Sequence, residues 1–109
     1  MTDEQINAAI AEACGWTDIV HHPDFGLMGR DPSTHGLRTC VPYYASDLNA
    51  MHEAENTLYT GLNHQRYWQG GRVRFRTILS EITADPISAT ARQRAEAFLK
   101  TIEKWEETE

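Results

Sequence analysis

A chain of 109 residues is the size of one domain, and it is long enough to bury a core without disulfide staples, a need strongest below roughly 40 residues. Its 40% hydrophobic and 24% charged residues argue against disorder, and no apolar run approaches the roughly 20 residues that span a bilayer. A formal net charge of −6 argues against wholesale coating of nucleic acid, since neutralising phosphates takes a Lys/Arg surplus, but it leaves room for a local basic pocket.

The first predicted element is a helix over Thr2–Ala13. Thr2 and Gln5 have capping-box spacing, Asp3 and Glu4 suit the positive helix end, and Ile6, Ala9, Ile10 and Ala13 form an apolar stripe. Gly15 is placed to end the helix in a left-handed conformation. Residues 16–42 carry Pro23, Pro32, Pro42, Gly26, Gly29 and Gly36; short extended pieces are expected at Thr17–Val20 and Gly26–Arg30, with turns and loop elsewhere. About 27 residues exceed an idle connection, so an ordered excursion is expected.

The second helix is predicted over Ser46–Leu62, with Ser46 as N-cap, Asp47 in the first turn, and Leu48, Met51, Leu58 and Leu62 as the buried stripe. Gly61 is a candidate end. From Asn56 to Ser80 there is no acidic residue, and Arg66, Arg72, Arg74 and Arg76 give that stretch +4 against a total of −6, which leaves −10 on the rest. The Gly70-Gly71 pair interrupts it. Residues 72–76 alternate as a strand would, yet Val73, Phe75, Ile78, Leu79 and Ile82 fit one helical face, which favours a helix over Gly71–Thr83 that Pro86 keeps from extending. A short strand is expected over Ile87–Thr90. Thr90 then caps the last helix with Gln93 at capping-box spacing, and Ala91, Ala95, Phe98, Leu99, Ile102 and Trp105 share its apolar face. The expected fold is α/β (α+β): a small, helix-dominated single domain with a few short strands.

Three segments carry a family resemblance. Ala13-Cys14-Gly15-Trp16 closes the first helix. Asp47-Leu48-Asn49-Ala50-Met51-His52-Glu53-Ala54-Glu55 opens the second, and Ala89-Thr90-Ala91-Arg92-Gln93-Arg94-Ala95-Glu96-Ala97-Phe98-Leu99 opens the last. In order and spacing they resemble the phage ABA sandwich domain of small bacteriophage and prophage proteins, over about residues 6–105. The resemblance implies a layered α/β/α arrangement, a phage origin and a place in the host cytoplasm. It implies no catalytic residue. Small phage proteins of this kind are often accessory factors, some of which blunt host defence.

Chemistry-bearing residues fall into four groups. Cys14 and Cys40, with no secretory leader ahead of them, are expected as reduced cytosolic thiols, a Cys14–Cys40 bridge being the alternative. His21, His22, His35 and His64 could join a cysteine at zinc, but no CxxC or HxxxH spacing supports it, and adjacent His21 and His22 on an extended segment point to opposite sides; no cofactor is expected. His52 and Glu53 are a candidate base or ligand pair, although position 56 is Asn where a zincin helix has its second His, and Asn49, Glu53 and Asn56 line one face; a solvated, hydrogen-bonded face is the plainer alternative. There is no G-x-S-x-G, P-loop or dinucleotide fingerprint.

The fourth group is arginines with aromatics. Guanidinium groups grip phosphates and aromatic rings stack on bases, so Arg72, Arg74 and Arg76 are expected to hold phosphates and Tyr43, Tyr44 or Trp68 to stack, with Asp47, Asn49 and His52 reading hydroxyls or ring edges. The alternative is that the arginines pair with the surplus acids, within the chain or across an oligomer interface. Trp16, Trp105 and Phe98 are expected in the core. The function expected is a non-enzymatic phage accessory protein that sequesters a small nucleotide-like ligand. Alternatives are a protein-binding inhibitor of a host factor and a small hydrolase using His52 and Glu53. Aromatic content and charge segregation favour a homo-oligomer; no membrane and no bulk nucleic-acid partner is expected.

Overall fold

A computed structural model describes the backbone of residues 1–60 and 65–106, and the side chains of these outside position 33 and positions 57–73. Among the described residues the chain is an α+β domain of four α-helices and one three-stranded antiparallel sheet. Helix α1 spans Asp3–Ala13, strands β1 Thr17–His22, β2 Gly26–Asp31 and β3 Leu37–Cys40, and helices α2 Leu48–Thr60, α3 Gln65–Ile82 and α4 Ala91–Thr101. No described helix is long and apolar enough to cross a membrane.

Both capping boxes form. The Thr2 hydroxyl accepts from the Gln5 amide and the Gln5 side chain accepts from Thr2 N; Thr90 and Gln93 repeat the arrangement at 3.1 and 2.9 Å. Each box satisfies two of the four amides that a helix start leaves unpaired. Thr90→Ala is therefore expected to lower stability by about 1 kcal/mol, read in urea melts. A melt unchanged within error would show that the box contributes nothing at this helix start.

Helix α1 ends as its Gly15 requires. Gly15 has φ +97°, its amide donates to Glu12 O and that of Trp16 donates to Ala11 O, which closes the last turn. Trp16 then turns into the core just before β1. Residues 16–42, expected as an ordered excursion, form the sheet. β1 and β2 run two and one residues further than expected, and β3 was not anticipated. β3 is four residues long and exposed throughout, so it carries no alternating hydrophobic signal. Residues 18 and 19 of β1 oppose the single Gly29 of β2, a bulge in which Asp18 takes φ +51° and its carboxylate pairs with Arg30 at 2.7 Å.

The sheet has one packed face. Ile19, Leu27 and Trp16 lie against the helical core beside Gly29, whereas Val20, Met28 and Cys40, cross-strand neighbours, lie on the other side. His21 and His22 fall on opposite faces, as extended backbone dictates.

The helices enclose the core, with α4 at their centre, packed on α1, α2 and α3. Phe98, Ile6, Ile10, Met51, Leu99 and Ile102 are fully buried, Trp16 is buried and Trp105 half-buried beneath Lys100. Buried Asn7 accepts a hydrogen bond from Ala45 N at 2.9 Å, which ties α1 to the segment before α2. No disulfide joins Cys14 and Cys40.

Four expectations need correction. Asp47, not Ser46, caps α2: its carboxylate accepts from the amides of Asn49 and Ala50 at 3.0 and 3.3 Å, whereas the Ser46 hydroxyl turns to Tyr43 O. A carboxylate is the stronger acceptor for amides at the positive helix end. Leu48 is exposed, and α2 instead buries Ala50, Met51, Ala54 and Glu55; Leu58 and Leu62, the rest of the expected stripe, and Gly61, the expected end, lie outside the described side chains. Residues 72–76 are helical, and α3 begins at Gln65, so Gly70-Gly71 lie within it and do not precede it. Pro86–Ser88 forms a 3-10 turn where a strand was expected, since Pro86 sets the first position of a turn and gives up its ladder donor.

Candidate functional site

The helix face of α2 that carries Met51 and Ala54 also carries Glu55, one turn beyond Met51. On α4, Arg94 stands between Ala91, Ala95 and Phe98, which are all buried. The two charges are thus folded into apolar surroundings and meet there: Arg94 Nη1 donates to Glu55 Oε1 at 2.9 Å, with the two side chains 16% and 7% exposed. Arg94 Nη2 donates to the carbonyl of Pro86 at 3.3 Å, which joins the pair to the turn before α4. The second carboxylate oxygen, Glu55 Oε2, and Arg94 Nε are both buried with no hydrogen-bond partner. Burial pushes the Glu55 carboxyl above its ordinary value, and Arg94, by charge and hydrogen bond, then His52, by charge, pull it back.

This pair lines a pocket of about 430 Å³, a volume suited to a small organic ligand. Phe75 and Leu79, one turn apart on α3 and both buried, supply an apolar wall; Pro86 and Ile87 supply another. Ile87 is 92% exposed, an aliphatic side chain held at the pocket edge with little packing of its own. Arg76 and Ser80 complete the lining. Arg76 is exposed, and the Ser80 hydroxyl donates to the Arg76 carbonyl at 2.9 Å. The pocket therefore combines an apolar slot, an internally neutral acid–base pair whose unpartnered Oε2 and Nε are closed off from solvent, and a solvated cation. A larger groove of about 580 Å³ lies along α1, lined by Ala8, Ala9, Ala13 and Ile102 with Glu12, Lys104 and Glu106, and holds no paired charge like that of Glu55 and Arg94 among its described residues.

Of the seven expected site residues whose side chains are described, Arg76 alone lines this pocket. Trp68 and Arg72 have side chains outside the described residues. Arg74 is on another side of α3, where it pairs with Glu103 at 3.4 Å, because alternate positions on a helix are about 200° apart and the three arginines cannot share a face. Tyr43 is 63% exposed, whereas Tyr44 is buried, and its phenol is pushed above its ordinary range by burial and by Cys14; Tyr44 is a core residue with no free ring face. Asp47 is committed to its capping bonds, and Asn49, His52 and Glu53 are exposed on α2. No group of three or more metal-binding side chains occurs among the described residues; His64 lies outside them.

Glu55 and Arg94 were missed. Glu55 stands at the vacant position of the stripe Leu48, Met51, Leu58, Leu62, and Arg94 interrupts the stripe of α4 in the same way. A charge of each sign within two apolar stripes was the available signal. In comparisons with known proteins, no family model, no curated protein and no solved structure matches the chain.

Proposed function

We propose that the chain captures a small phosphorylated, nucleotide-like ligand in the pocket between α2, α3 and α4, without turning it over. The observation that carries this reading is the pocket of about 430 Å³ itself, an apolar slot lined by Phe75, Leu79, Pro86 and Ile87 with the exposed cation of Arg76 in its lining. Phe75, Leu79, Pro86 and Ile87 suit the flat body of a base, and Arg76 at the rim suits phosphate. Capture without reaction fits a pocket whose one described hydroxyl, that of Ser80, donates to the backbone carbonyl of Arg76. Taken with the resemblance to phage sandwich proteins, the role is that of an accessory protein sequestering such a ligand in the host cytoplasm.

Thermal melting against nucleotides, cyclic dinucleotides and ADP-ribose derivatives tests this reading, because a ligand bound by the native state alone must raise the melting temperature. One class is expected to give a shift of several degrees and to be recovered chemically unchanged after denaturation. Arg76→Ala is expected to weaken that ligand about tenfold, the worth of one charge-assisted contact of roughly 1.4 kcal/mol. Turnover abolished by His52→Ala would replace capture with the hydrolase reading.

A second reading has its own observation. Val20, on the face of the sheet away from the helices, and Phe25, in the turn between β1 and β2, are exposed, which suits a protein partner or a second copy of the chain. No shift across the ligand panel would move the function to that surface, and light scattering that shows only monomer would exclude the second copy.

A further inference from the structure

We propose that the free edge of β3 pairs with the same edge of a second copy of the chain, through the backbone of Arg38 and Cys40, and so joins two sheets into one. This does not rest on ligand capture. The ladder fixes which groups are free. β3 pairs with β2 in the register Met28–Cys40 and Gly29–Thr39, and Val41 N donates to Leu27 O at 3.0 Å. Alternate residues of an antiparallel strand turn their backbone to the same neighbour, so Leu37, Thr39 and Val41 face β2 and Arg38 and Cys40 face outward. The outward N–H and C=O groups of Arg38 and Cys40 have no backbone partner among the described residues, and all four residues of β3 are exposed. The opposite edge is poorly suited to pairing. β1 carries a bulge at residues 18 and 19, which twists that edge, and α1 packs on the same strand. With one open edge per chain, edge pairing joins two copies and stops there.

The edge matches itself in one register. Centred on Arg38, the pairing sets two guanidinium side chains opposite each other, and it offers Cys40 the partner's Gly36, whose N–H already donates to Asp31 O at 3.0 Å. Centred on Cys40, it brings Arg38 against the partner's Pro42, which has no N–H to donate. Centred on Thr39, it places Arg38 opposite the partner's Cys40, so every outward N–H meets a C=O and no like charges meet. The same register accounts for Leu37, which is 69% exposed although its neighbour along that face, Val41, is buried. Leu37 then lies opposite the partner's Val41, at the close spacing of a pair without hydrogen bonds, and extends the partner's core. A second copy supplies this match of backbone, charge and apolar side chain together, whereas an arbitrary strand supplies only the backbone.

The test is sedimentation equilibrium of the full chain and of Arg38→Pro, with cross-linking to read the register. The interface is small, so the expected dimer is concentration-dependent and populated by roughly 1 mM chain. Arg38→Pro removes an outward N–H and keeps every bond of β3 to β2, so its melt is expected to match that of the parent chain. It is expected to weaken dimerisation on the order of thirtyfold, since each dimer loses two ladder bonds. Thr39→Cys in a Cys40→Ser background sets the two new thiols opposite each other, with Cα atoms about 4.5 Å apart, and is expected to cross-link on mild oxidation. Arg38→Cys in the same background, displaced by two residues from its copy, is expected not to. A chain that stays monomeric overturns the proposal, and a dimer that Arg38→Pro leaves intact places the contact elsewhere and overturns it too. A monomer whose Arg38 and Cys40 amides gain exchange protection only from an added peptide strand gives the edge to a foreign partner. Cross-linking at 38 and not at 39 overturns the register. If Arg38→Pro does not fold, the two cysteine variants decide the question alone.

Discussion

Arg94→Met is expected to lower the stability of the fold at pH 7 by about 3–5 kcal/mol, the usual cost of leaving one partner of a buried ion pair alone. Glu55 is the partner left behind. Its side chain is 7% exposed and its second oxygen has no donor, so removing the guanidinium leaves a carboxylate with no compensating charge in contact. The pH dependence follows from linkage. The folded carboxyl already lies above its ordinary value of 4.5, and both influences of Arg94 lower it. Without Arg94 it rises further, so the native state holds a proton that the unfolded chain has released over a wider range of pH. Stability then falls as pH rises from the unfolded value through the folded one and stays low above it. The charged groups that act on Glu55 are Arg94 from α4 and His52 from its own helix, and of these Arg94 has the larger effect.

Urea melts at pH 5 and pH 7 test the prediction. The loss in Arg94→Met is expected to be smaller at pH 5, where a raised carboxyl is partly protonated. Glu55→Leu combined with Arg94→Met is expected to regain most of the stability, because well-packed apolar groups of similar volume replace buried ion pairs at little cost. A loss below 1 kcal/mol, or one independent of pH, would show that the pair is solvated in solution.

Gly29→Val is expected to cost about 2–3 kcal/mol, near the upper end of what overpacking a filled site costs. A Cβ at position 29 would stand 3.0 Å from Ile19 Cγ1, 3.2 Å from Thr17 O and 3.3 Å from the Trp16 ring. Two opposing effects decide the sign. Glycine in a strand interior is weaker than alanine by roughly 0.5–1 kcal/mol, which favours substitution. The contacts outweigh it, since the Thr17 carbonyl is backbone held by the β1–β2 pairing and Trp16 is buried, so neither yields cheaply. Gly29→Ala is expected to move the same way by less, and to cost less still in an Ile19→Ala background, where the tightest contact is gone. Additive single and double variants would mean that Ile19 is not the obstacle.

The parts of this fold legible in the sequence are those decided by neighbours along the chain. Thr2 with Gln5 and Thr90 with Gln93 are three residues apart, and each pair forms its box whatever lies elsewhere. Gly15 takes its positive φ for local steric reasons, and the i, i+4 pair Phe75 and Leu79 faces inward as helical spacing dictates. Asp47 outcompeted Ser46 as cap, a contest between adjacent good candidates that geometry alone decides. β3 exists through its pairing with β2, Met28 against Cys40 and Asp31 against Leu37, and its own four residues bear no trace of that partner.

The site was less legible. Arginine with tyrosine suggested a phosphate and a base, and Arg76 does stand at a pocket, but the helix turned Arg74 toward Glu103 and the core took Tyr44. By itself the sequence determined both ends of α1, the start of α4, the α+β class and the apolar faces of α1 and α4, because capping, turn chemistry and periodicity act over a few residues. Only the tertiary structure decided that Glu55 and Arg94, thirty-nine positions apart, meet in a low-dielectric interior with one acceptor and one donor unmet. That outcome depends on the packing of α2 and α4 around α3, and long-range packing of this kind leaves no local pattern to read.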